Sequence, residues 1–114
     1  VQVLDSFQND TYPDGQASSL YKASVTLVNA SRGPGKWQTY DVICIREKKG
    51  ADGKVIQPGS ISVLHNGVVT QFAVQAGGKS KAGGLRLQDH GNPVRFRNIW
   101  ARKLNVPAVA APKK

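Results

Sequence analysis

The sequence predicts an all-β protein, an antiparallel sandwich or barrel. Three observations carry that prediction. Apolar residues recur with period 2 along several short runs, and no stretch of useful length repeats with the period of a helix. Asn66-Gly67 and Asp52-Gly53 stand between such runs, and a type I′ hairpin turn needs φ > 0 at both central positions, which these dipeptides tolerate. Twelve Gly and six Pro in 114 residues supply breaks at the close spacing that many short strands require.

Residues 1–6 alternate Val1, Val3 and Asp5 against Gln2, Leu4 and Ser6 and read as a first strand. Residues 7–18 are rich in Asn, Asp, Gly and Pro and read as an ordered polar loop. Ser19–Ser24 continues in extended form or as one helical turn, Val25–Asn29 is a short strand candidate, and Ser31–Gly35 is a break. Trp37–Arg46 is the longest expected strand. Its Trp37, Thr39, Asp41, Ile43 and Ile45 face one way, and Gln38, Tyr40, Val42, Cys44 and Arg46 the other. Trp37 and Tyr40 therefore part, one toward the core and one outward. Glu47–Gly53 is a charged turn. Ser60–His65 and Val68–Val74 form a hairpin about Asn66-Gly67, with His65 expected at the surface beside the turn. Ala76–Gly84 reads as a flexible loop.

Leu85–Trp100 reads as a second hairpin, broken at Gly91-Asn92-Pro93. Leu85, Leu87 and Asp89 oppose Arg86, Gln88 and His90, while Val94, Phe96, Asn98 and Trp100 oppose Arg95, Arg97 and Ile99. Its rim gathers an acid, an imidazole, amides and guanidiniums, so it is the first place to look for chemistry. Patterning ends at Leu104. The expected organisation is one domain over 1–104 and a loose tail, 105–114.

The net charge is +9, from 16 Lys and Arg against 7 acids. Lys48, Lys49, Lys54, Lys79 and Lys81 fall in turns and a Gly-rich loop, and Lys113 and Lys114 end the chain. Nucleic-acid binders cluster cations on one face with stacking aromatics between them, and this distribution argues against a specific nucleic-acid partner. No window approaches the roughly 20 apolar residues of a membrane-spanning helix. A single cysteine, Cys44, excludes an internal disulfide; set among Val42, Ile43 and Ile45, it is expected to be a buried, inert thiol.

A resemblance then emerges from several segments taken in order: Val1–Ser6, Thr11–Ala17, Leu27–Arg32, Trp37–Asp41, Val63–Val68 and, most specific, Leu87–Trp100. Together they resemble the 3-keto-disaccharide hydrolase family, from residue 1 to about residue 104. The resemblance implies a concanavalin-like jelly-roll sandwich and a periplasmic or secreted address. It also implies that this chain corresponds to the C-terminal half of the family domain, since further strands precede the Val1 position there. A truncated sandwich leaves an apolar face and open edges, so a homo-oligomer covering that face is expected. Family members tend to have small residues around Ser18 and Lys22, and Lys22 departs from that pattern.

The chemistry implied is action on 3-keto-glycosides. A ketone at C3 acidifies the C2 proton, the glycosidic bond leaves by elimination, and hydration follows. This needs a base near C2, an electrophile on the developing enolate oxygen and an acid for the leaving group. His90 is the candidate base, Asp89 orients it or binds sugar hydroxyls, and Arg97 or Arg95 stabilises the enolate; Gln2, Asp5, Gln88, Arg95 and Tyr21 are the candidate substrate contacts. A solvated strand face, ion-paired with Asp5 or Asp41, accounts for both arginines more simply. Two further alternatives stay open. Asp89 can instead accept backbone N–H groups of the Gly91 turn, with His90 packed beside it. The chain can also be a carbohydrate-binding module without turnover. No cofactor is expected, although Asp5, Asn9, Asp10, Tyr12 and Asp14 form an oxygen-rich loop of the kind that holds Ca²⁺; the spacing is not that of an EF-hand, and Asx-turn chemistry explains most of it.

Overall fold

In the computed structural model of the chain, the described residues are 1–8, 15–20, 24–75, 85–88 and 91–105. They fall in two units, Val1–Gly78 and Lys79–Lys114. Every regular element among the described residues is a strand: β1 (Tyr40–Ile45), β2 (Lys48–Lys49), β3 (Val55–Gln57), β4 (Ser60–His65) and β5 (Val68–Gln75). β1, β4 and β5 form a three-stranded sheet in the order β1-β4-β5, and β2 and β3 form a separate ribbon. All pairings are antiparallel.

Turn chemistry builds both hairpins. Between β4 and β5, Asn66 has φ 53 and Gly67 φ 79, the left-handed pair that a type I′ turn demands. In the β2–β3 ribbon, Gly53 has φ 79. There the Gly50 N–H donates to the Lys54 carbonyl at 2.8 Å, and Asp52 Oδ1 accepts the Lys54 N–H at 3.0 Å. The break at Ser31–Gly35 also stands, closed by the Lys36 N–H on the Gly33 carbonyl at 3.2 Å.

Four strand expectations need correction. β1 begins at Tyr40, three residues later than expected, and β5 is the longest strand at 8 residues. Residues 1–6 form no strand; their ladder consists of Gln2 alone, which donates to the Ser19 carbonyl and accepts from the Ser18 N–H, each at 2.9 Å. Val25–Asn29 makes one such contact, the Leu27 N–H on the Thr70 carbonyl at 2.9 Å. The described residues of 85–100 carry no strand. One physical reason covers these cases. Period 2 states which side chains share a face, whereas a strand requires a continuous ladder on a neighbour.

The apolar core is small. Ala17, Leu20 and Val63 are the buried hydrophobic residues among those described, while Ser6, Ser18, Ser19, Thr26, His65, Thr70 and Gln71 are buried polar ones. Register puts Tyr40, Val42 and Cys44 beside His65, Val63 and Ile61 on one sheet face, with Gln71 opposite Val63. Hydrogen bonds from the 15–31 segment reach the Gln71 end of that face. The Cys44 end has no such cover, so Cys44 is exposed, contrary to the expected buried thiol. The opposite face is open as well, with Ile43 42% and Val69 43% exposed. Trp37 and Tyr40 do part as expected: Trp37 is exposed and Tyr40 half-buried.

Candidate functional site

Two polar groupings stand out, one in each unit. The first is built around His65, whose expected surface position is overturned: it is fully buried. Its ring stacks on Tyr40, centroids 4.3 Å apart and planes 11° from parallel. Gln38 Oε1 gathers three donors: the Arg32 N–H at 3.0 Å, Asn66 Nδ2 at 3.2 Å and His65 Nε2 at 2.9 Å. Asn66 is oriented by accepting the Thr39 N–H on Oδ1 at 3.0 Å and donating from Nδ2 to the Ala30 carbonyl at 2.8 Å. With that amide set, Gln38 must present its oxygen, and His65 must carry its proton on Nε2. Nδ1 is then a bare lone pair, buried and unpartnered. Burial, and then the nearby Arg32 guanidinium, hold the imidazole below its ordinary value of 6.5.

Gln71 anchors the other side of this grouping. Its Nε2 donates to the Ser18 carbonyl at 3.2 Å and the Val25 carbonyl at 3.1 Å, and Oε1 accepts the Ser24 hydroxyl at 2.9 Å. Ser18 sits at φ 69, a conformation an L residue rarely adopts. Its Oγ is buried and approaches the Tyr40 phenol without completing a hydrogen bond. Burial pushes that phenol up to about 12, with the Ser18 hydroxyl working weakly the other way. The alternation of β4 contained the missed signal. Ile61, Val63 and His65 share parity, so His65 belongs with a buried valine despite its place beside a turn.

The second grouping lies in Lys79–Lys114. A concavity of about 310 Å³ is lined by Leu87, Gln88, Asn92, Pro93, Val94 and Phe96. Two amides beside a phenyl ring offer hydroxyl-directed hydrogen bonds and an apolar platform, the pairing that a sugar ring presents in reverse. Among the predicted site residues, Gln88 lines this concavity, and Arg95 and Arg97 are exposed in the same segment. Gln2 and Asp5 belong to the first unit, where Asp5 Oδ1 accepts the Phe7 N–H at 3.3 Å in a turn. Tyr21, Asp89 and His90 lie outside the described residues, as do Asn9, Asp10, Tyr12 and Asp14 of the oxygen-rich loop. Among the described residues no three His, Cys, Asp or Glu side chains come together as a metal site, and no helix is long and apolar enough to cross a membrane.

The fold defines a class: an all-β domain of antiparallel sheets. The comparisons make it specific. The family model describing a 3-keto-alpha-glucoside-1,2-lyase-like domain matches residues 1–102, and the chain belongs to that family, the 3-keto-disaccharide hydrolases. A crystal structure of a putative glycosyl hydrolase from Parabacteroides distasonis is similar, with 38% sequence identity and a TM-score of 0.58. The match covers 78% of this chain and 38% of that one. A search of curated proteins gave no match.

Proposed function

We propose that this chain acts on 3-keto-glycosides, with the Leu85–Trp100 segment as its sugar-facing surface. The observation that carries the reading is the family match over residues 1–102, and the concavity lined by Gln88, Asn92 and Phe96 lies within it. In this reading the amides orient ring hydroxyls and Phe96 takes the apolar ring face. His90 removes the C2 proton, Asp89 sets its tautomer, and Arg97 receives the enolate charge, while Arg95 contributes a further contact. The test is release of product from a 3-keto-disaccharide, compared with His90→Ala. Turnover abolished in the variant supports the assignment; equal turnover in both removes His90 from it.

A second reading is a carbohydrate-binding module that binds glycans without turnover, which the same family match supports. Binding of a 3-keto-disaccharide by calorimetry, with no product formed, selects it. The partner proposed for either reading is a second copy of the chain, covering the open face that carries Ile43 and Val69. A constant monomer mass by light scattering across micromolar concentrations refutes that assembly.

A further inference from the structure

We infer that His65 is an acid-sensitive clasp: its neutral imidazole ties the 30–39 segment to the Asn66-Gly67 turn and lets go when Nδ1 takes a proton. The geometry supplies each part. Gln38 Oε1 is saturated by Arg32, His65 and Asn66, so the three donors are held by one oxygen. Asn66 repeats the tie from the hairpin side, through its backbone N–H on the Thr39 carbonyl at 2.9 Å and its side chain on Ala30 and Thr39. The neutral ring fits because Nε2–H satisfies Gln38 and the stack on Tyr40 asks for no proton on the far nitrogen. A cation does not fit. Its second N–H finds no acceptor at Nδ1, which is enclosed, and a buried donor without a partner is costly.

The surroundings do not offset that charge. Facing the ring from β1 is Tyr40, neutral throughout the acid range. From the preceding segment comes Arg32, a second cation whose field opposes protonation. On β5 the ladder partner is Val68, and the buried polar residues of that strand, Thr70 and Gln71, are uncharged. No described carboxylate pairs with the imidazole. Proton uptake therefore favours the opened arrangement, in which the imidazolium reaches water. The sign follows from linkage. The folded value lies below 6.5, so the clasp contributes fully above pH 6.5 and loses strength as the pH falls below it.

The experiment is native-state amide exchange on the full chain from pH 7.5 downward, corrected for intrinsic rates. Protection at Arg32, Thr39 and Asn66, whose N–H groups make the clasp bonds, is expected to fall as the pH drops below 6.5, at up to about tenfold per pH unit for one linked proton, and to level off once the folded ring is itself protonated. The Gly50 and Gly53 amides of the β2–β3 ribbon are expected to hold their protection. His65→Gln keeps an amide donor but removes the titration, so its clasp amides should lose the pH dependence. Should that variant fail to fold, a carbon-13 NMR titration of the two histidine rings in the natural sequence decides independently. His65 titrating below 6.5 supports the clasp. Titration at or above 6.5, or identical acid dependence at Arg32 and Gly53, overturns it.

Discussion

Gln71→Leu tests the central claim about what holds the first unit together. Gln71 is 1% exposed and links β5 to the 18–25 segment through three hydrogen bonds. Leucine of similar volume leaves the Ser18 and Val25 carbonyls without their donor. Ser18 is fully buried, and a buried unpaired group costs about 1–3 kcal/mol. The Ser24 hydroxyl, on a half-buried residue, can turn to water and costs little. The stranded Ser18 carbonyl costs up to about 3 kcal/mol, whereas the Val25 carbonyl, on an exposed residue, keeps the Ser24 hydroxyl or turns to water; burying the leucine side chain offsets roughly 1.5 kcal/mol. The net loss is about 1 kcal/mol. That is a large share of the stability of a small domain, here one with three buried apolar residues described. Urea unfolding followed by far-UV circular dichroism measures it. A change under about 0.5 kcal/mol refutes the idea that this amide, rather than apolar contact, fastens the segment to the sheet.

Two further outcomes follow from particular residues. Tyr40 is held neutral to about 12, so its contribution is complete below pH 10 and disappears as the pH rises from 10 to 12; Tyr40→Phe should lack that alkaline limb in a stability-versus-pH series. Gly67→Ala adds a Cβ that meets nothing within 4 Å, yet φ is 79. The cost is therefore conformational only, about 1–2 kcal/mol, and is read as a lowered Tm with no change in the β4–β5 register by NMR.

The hairpin about Asn66-Gly67 was legible to the residue at its start, because turn chemistry is local and the two flanking runs pair with each other. The Asp52-Gly53 ribbon was legible for the same reason. Residues 1–6 and 85–100 alternate just as cleanly and form no strand among the described residues. Their faces were readable, but their neighbours were not. The site divides along the same line. Gln88 was identifiable as a polar residue beside a break, and the concavity adds Asn92 and Phe96. Gln38, Tyr40 and Gln71 carried no local mark, since nothing in a short window shows that one carbonyl oxygen will meet three donors from two distant segments.

By itself the sequence determined the β class, two hairpins, the family and the segment most worth testing. Those properties rest on steric preferences of single residues and on motifs read over a few positions. Only the tertiary structure decided that Cys44 is exposed, that His65 is buried with a bare Nδ1, and that the first unit is fastened by amides and hydroxyls. Burial depends on which distant segment covers a face. In this chain residues 15–31 cover one end of one face, and so parity alone could not say which members of an alternating strand reach water.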